Sequence, residues 1–420
     1  MHFDLMDLVS QQVEEVLLVG AVLLVLCVAA SQLSSRLGVP ALLFFLGLGM
    51  LAGDDTAQYV PWLNIAFADH TTAYFVGSMA LVFILYAGGL DTKWARVRPV
   101  LLPGLSLATV GVVCTALLVG AFVHLALGST WLQGLVLGAV ISSTDAAAVF
   151  SVLRSRSVPL EGTLQPTLEL ESGSNDPVAV FLTVGMLGLV VGDGASLASL
   201  VVTLVLQMGI GAVCGLLLGR AARWVLTHWT LAVPGLYPTL SIGLMLAVFG
   251  LTDLAQGNGF LAIYVAGLVV GNGRFRGREE LLGMHDALSW LMQVAMFLML
   301  GLLVFPRQLF QWEVILPGLA VALFLMFVAR PVSVLISLPP PWRDIRPKAF
   351  IAWGGLKGAV PIILATFPFA PSLNGKIPIE LARPLFNLVF FVVLLSVLLQ
   401  GTTLTAAARW LGVRTQSNAT

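Results

Sequence analysis

Stretches of about 20 apolar residues, parted by short polar loops, follow one another along almost the whole chain, and a backbone can cross hydrocarbon at that length only as a helix. The 420 residues are 58% hydrophobic and 10% charged, too few charges to cover so much apolar surface in water. Allowing short and broken segments, the pattern predicts an all-α polytopic membrane protein with about 13 transmembrane helices. They fall near 14–34, 39–53, 73–90, 100–127, 131–152, 164–191, 196–223, 237–251, 257–271, 287–305, 313–337, 347–369 and 384–408. The chain reads as one membrane domain, residues 1–420, with no cytosolic regulatory domain present.

Basic residues orient these spans, because cytoplasmic loops are rich in Lys and Arg. Of the 21 Lys and Arg residues, 16 fall in alternate loops, from Arg36 and Lys93 to Arg409 and Arg414, against Arg307, Lys376 and Arg383 in the opposite set. That bias predicts the N-terminus outside and the C-terminus in the cytoplasm. Trp94, Trp131, Trp224, Trp312 and Trp410 lie near span ends, where interfacial rings belong. The N-terminus carries Asp4, Asp7, Glu14 and Glu15 and no early basic residue, unlike a signal peptide.

Equal numbers of basic and acidic residues, with no basic run, exclude a nucleic-acid partner. Cys27, Cys114 and Cys214 lie in apolar stretches with no CxxC spacing, so neither a disulfide framework nor a zinc site is expected. No Gly-x-Ser-x-Gly elbow or His-Glu-x-x-His pair is present, and the chain does not read as an enzyme or call for a cofactor. His285 follows the polar stretch Arg278-Glu279-Glu280 and is expected at the surface.

Charges inside the spans carry the functional signal, since each costs at least a few kcal/mol at mid-bilayer. They are Asp145, Glu171, Asp176, Arg330 and Lys357. At the helical rise, Asp145 lies roughly 21 Å from the outer end of its span and Asp176 roughly 18 Å from the inner end of the next. Both reach the midplane and can share one site. Glu171 and Arg330 each lie roughly 10–12 Å from the cytoplasmic face and are expected to pair. Ser172 and Asp176, four apart, face one way; Glu171 and Asn175 face an adjacent way, so Asn175 can reach toward the Glu171–Arg330 pair. Glu169 is shallower, an entrance residue that could attract cations.

Two spans contain breaks. Ser142-Ser143-Thr144-Asp145 offers hydroxyls to an unwound backbone, and Gly354-Gly355-Leu356-Lys357-Gly358, with Pro361 behind it, interrupts the twelfth span. The breaks hold corresponding places in spans 4–6 and 11–13, which predicts an inverted repeat with two crossing broken helices. Asp145 would offset the positive helix ends and Lys357 the negative ones. Gly211, Gly215 and Gly219 form a small-residue ridge suited to helix packing or a dimer contact. Two acidic groups and paired breaks point to a carrier that exchanges protons for a monovalent cation. A cation channel or uncoupled K+ efflux system is the alternative, though no selectivity filter is visible.

Several motifs are shared with known transporters. Residues 143–149, Ser-Thr-Asp-Ala-Ala-Ala-Val, and 171–177, Glu-Ser-Gly-Ser-Asn-Asp-Pro, resemble the Thr-Asp and Asn-Asp motifs of bacterial monovalent cation:proton antiporters. Residues 257–267 and 354–360 resemble two further stretches of that family. The second motif is most similar to NhaP-like potassium/proton antiporters. The resemblance implies the NhaA/NhaP-like antiporter fold and an inner (cytoplasmic) membrane location. It implies a cation held by the Asp145 carboxylate, the Thr144 main-chain carbonyl, Ser172 and Asp176, with Asn175, Glu171, Arg330 and Lys357 in support. It further implies a homodimer in which a core bundle, about 100–191 and 313–408, moves against a scaffold, about 14–90 and 196–305. The exchange would be electroneutral, one proton per cation, with K+ preferred and Na+ the other candidate.

Overall fold

The computed structural model describes residues 2–37, 40–53, 70–156, 158–192, 197–309, 311–338, 344–369, 376–377 and 379–414. Among them the chain is helical throughout, and one isolated backbone bridge joins Leu160 to Arg414. The main helices are α1 (His2–Leu37), α2 (Ala41–Ala52), α3 (His70–Asp91) and α4 (Trp94–Leu127), then the half-helices α5 (Trp131–Val140) and α6 (Ala146–Ser155). There follow α7 (Leu164–Val191), α8 (Leu197–His228), α9 (Leu236–Leu254), α10 (Gly259–Gly271), α11 (Arg278–Leu302) and α12 (Trp312–Ser337). The half-helices α13 (Ile345–Trp353) and α14 (Ala359–Leu364) precede α15 (Ile379–Trp410). Nine of the described helices are long and apolar enough to cross a membrane, and four shorter apolar ones accompany them.

One boundary differs from expectation in a way that matters. Residues 278–286 are the first turns of α11 rather than a loop. Gly277 turns the chain at φ 71°, and Glu279 and Glu280 then sit on the positive helix end. His285 is consequently 1% exposed, not a surface residue. Its Nε2 lies 3.0 Å from Ser241 Oγ on α9, and its ring stands edge-on to Tyr86 of α3. Arg343, counted on the cytoplasmic side, and the side chain of Arg36 lie outside the described residues.

The order helix, broken helix, long helix occurs twice, as α4–α7 and α12–α15. The two leading helices share a further irregularity: each contains a π turn, Leu107–Gly111 in α4 and Leu325–Ala329 in α12. They meet through Thr115 Oγ1, which donates to Ser333 Oγ at 2.9 Å, and Ser106 Oγ, which donates to the Ser337 carbonyl at 2.6 Å. The glycine ridge of α8 packs within the chain, with Gly211, Gly215 and Gly219 against Asn258, Ala262 and Ala266 of α10. The rest of α8 exposes apolar side chains such as Val201, Val205 and Leu217, the pattern of a lipid-facing helix.

Candidate functional site

Unwound backbone forms the centre of the site. A Thr130–Gln133 capping box starts α5, and the helix ends at Val140, leaving residues 142–145 outside any helix. Asp145 then caps α6, its Oδ1 accepting from the Ala148 amide at 3.1 Å. In the second group, Asp344 caps α13 and glycines end it. The two breaks cross and bond directly: the Asp145 amide donates to the Leu356 carbonyl at 2.8 Å. Only glycine suits position 358, because a Cβ there would collide with the Asp145 carboxylate.

Lys357 answers the negative end of α5. Its Nζ donates to the Ser142 and Ser143 carbonyls at 3.2 and 2.8 Å, and the side chain is 1% exposed. The offset of helix ends by Asp145 and Lys357 is therefore present in the geometry.

The long helix α7 supplies the other half. Ser172 Oγ accepts from the Ala146 amide and donates to the Thr144 carbonyl, both at 3.0 Å. Asn175 departs from expectation: its Nδ2 donates to Thr144 Oγ1 at 2.6 Å, holding the first break rather than reaching toward Glu171. Glu171 pairs elsewhere: its Oε1 accepts at 2.5 Å from Arg330 Nη2, with both side chains buried, and its Oε2 has no hydrogen-bond partner among the described residues. Arg330 Nη2 also reaches the Ile351 carbonyl near the end of α13. Asp176 is buried, and its Oδ1 has no hydrogen-bond partner among the described residues.

Asp145, Thr144, Ser172 and Asp176 all line one cavity of about 330 Å³. The cavity extends past Glu169 to exposed Asp91, Arg154 and Asp286 at its mouth. Glu169 is half-buried on this path and accepts from Gln165 Nε2 at 2.8 Å. Glu171, Asn175, Arg330 and Lys357 stand behind the cavity wall, outside its lining. Asp91 and Asp286 carry no motif; only their places at the ends of predicted spans could have singled them out. Tyr264, in the 257–267 stretch, also lines the cavity and packs on Gly173.

Residues 21–410 match the family described as sodium/hydrogen exchanger, transmembrane. The chain belongs to this family. It is a family of transporters rather than enzymes, and the chain falls in its bacterial NhaP-like part. The chain is 43% identical over 404 residues to the K(+)/H(+) antiporter NhaP2 of Shewanella oneidensis, covering 95% of this chain and 67% of that protein. It is 42% identical over 395 residues to the K(+)/H(+) antiporter NhaP of Alkalimonas amylolytica, covering 94% and 66%. The chain thus spans about two thirds of the length of these relatives. Its fold matches the sodium proton antiporter MjNhaP1 of Methanocaldococcus jannaschii with a TM-score of 0.78 at 26% identity, covering 95% of this chain and all of that one. The all-helical antiporter fold expected from the motifs is the observed one.

Proposed function

We propose that this protein is a secondary active transporter of the inner membrane that exchanges protons for a monovalent cation at Asp145 and Asp176. The observation that carries this is the meeting of two carboxylates in one cavity at the crossing of two broken helices, with Lys357 bound to the opposite helix end. A hard cation takes oxygen ligands. The Asp145 and Asp176 carboxylates, the Thr144 carbonyl and the Ser172 hydroxyl supply them. Without a cation, the two carboxylates in one cavity, Asp176 buried and Asp145 half-buried, repel, and a proton on Asp176 relieves both the repulsion and its own cost of burial. Cation and proton then exclude one another, so exchange needs no separate coupling device. With Asn175 in place of a second acid beside Asp176, one proton leaves per cation and no net charge moves.

Potassium is the preferred cation, on the strength of the relatives' names, with sodium the second. The mouth residues Asp91 and Arg154 lie on the side that the basic loops assign to the cytoplasm, so the cavity opens inward. Glu169 lies on the way in and draws cations toward the site. A homodimer moving α4–α7 and α12–α15 against the remaining helices gives alternating access.

The test is a reconstituted vesicle with opposed potassium and proton gradients. Wild-type protein should build a proton gradient from a potassium gradient, and Asp176→Asn should abolish it. Retained exchange in the variant rejects the site; potassium flux without proton movement in the wild type identifies a channel instead.

A further inference from the structure

The second break lacks the helical bond that would run from the Lys357 amide to the Trp353 carbonyl, four residues back. Helix α15 supplies both missing partners. The Lys357 amide donates to Ser396 Oγ at 3.1 Å, the Ser396 hydroxyl donates to Gln400 Oε1 at 2.5 Å, and Gln400 Nε2 donates to the Trp353 carbonyl at 2.9 Å. Two side chains thus splice one interrupted backbone bond. They are 0% and 1% exposed, so any member removed leaves a buried group unsatisfied. A fourth bond fixes the same turn from outside, with Trp353 Nε1 donating to Thr403 Oγ1 at 3.1 Å.

The first break is handled in kindred fashion. There the long helix of its own group, α7, places Ser172 between the Ala146 amide and the Thr144 carbonyl, and presents Asp176 four residues later. Helix α15, the long helix of the second group, places Ser396 on its break and presents Gln400 four residues later. An amide where the first group has a carboxylate carries no charge for a cation, but it has the donor that a carboxylate lacks. That donor is what reaches Trp353.

We propose that Ser396 and Gln400 are positioning residues for exchange. By closing the gap between Trp353 and Lys357 they hold the Lys357 ammonium on the Ser142 and Ser143 carbonyls, and so set how tightly the neighbouring cavity holds a cation. Without the clasp the segment 354–358 gains freedom, and the ammonium can leave those carbonyls for the carboxylates, where it competes with the cation. This inference rests on the antiport reading.

The experiment compares wild type with Ser396→Ala, Gln400→Leu and Ser396→Thr in the full chain, reading potassium-dependent proton movement in vesicles. Amide hydrogen exchange of residues 354–358 is followed alongside. Ser396→Ala and Gln400→Leu should raise half-saturating potassium at least about fivefold, with the maximal rate per folded protein within about twofold. Both should speed amide exchange at the break. Ser396→Thr keeps the hydroxyl and should match wild type in both readouts. If an alanine or leucine variant does not fold, Ser396→Cys, a weaker donor and acceptor, should shift half-saturation in the same direction. Unshifted half-saturation, with or without faster amide exchange, overturns the proposal and leaves a structural clasp. Coupled exchange in wild type with unshifted variants sinks this inference alone; a wild type that moves no protons sinks the antiport reading and this inference with it.

Discussion

Glu171 and Arg330 place two opposite charges where neither could stand alone, each at most 3% exposed. Removing one partner strands the other, at a cost of about 3–5 kcal/mol. Arg330→Ala should therefore lower thermal stability in detergent sharply, and Glu171→Leu together with Arg330→Leu should recover much of the loss. A well-folded Arg330→Ala protein with altered cation affinity would instead place the pair in transport. The partnership itself was legible in the sequence, because burial forces charges to match in depth and only these two matched near the cytoplasmic face. Asn175 was not: helical spacing gave its direction, but the nearer Thr144 hydroxyl took its amide. Ser396 and Gln400 escaped notice because they are polar residues without charge in an apolar span. Only their four-residue spacing could have flagged them, and that spacing acquires meaning once Trp353 and Lys357 are seen to face it.

Helices α7 and α10 meet where Gly173 lies on the Tyr264 ring and where Asn258 Nδ2, at the start of α10, donates to the Pro177 carbonyl at 3.2 Å. A Cβ at 173 would collide with that ring. If α7 travels with the moving bundle and α10 stays, this is a surface across which they slide, and added bulk should hinder passage more than folding. Gly173→Ala should slow exchange about tenfold or more, equivalent to ~1.4 kcal/mol on the barrier. Adding Tyr264→Ala should restore much of the rate by clearing the space. Equal rates for Gly173→Ala and wild type would deny the contact any part in motion. At this scale the breaks were the most readable elements, because glycines, a proline and a run of hydroxyls cannot continue a helix unaided. The crossing itself, with its bond from the Asp145 amide to the Leu356 carbonyl, was readable only through the repeat. The start of α11 was misread since charged residues at 278–280 suit a helix N-terminus as well as a loop.

For the molecule as a whole, the basic residues and the cavity mouth make one joint statement about direction. Glu161→Cys should react with an impermeant thiol reagent only from the cytoplasmic side, and Ser129→Cys only from outside. The reverse pattern would invert the orientation drawn from the basic loops. The native Cys27, Cys114 and Cys214 lie within helices α1, α4 and α8, and a variant lacking them gives a clean background. The family and the antiporter fold were legible because two of their motifs, 143–149 and 354–360, lie at the breaks, where local chemistry is most constrained; the place of the proposed dimer contact was not, because lipid and a second copy demand similar apolar surfaces.

The cavity has an electrical consequence as well. A space open to electrolyte as far down as Asp145 and Asp176 supports almost no voltage drop. The membrane potential, about 2.3 kcal/mol per elementary charge for each 100 mV, then falls almost entirely across the packed layer beyond the carboxylates. An ion reaching the site through the cavity crosses little of the field. On the alternating-access reading proposed above, a change of access would move the insulation past the ion, and the two crossed half-helix pairs, each shorter than a full span, lie at that boundary.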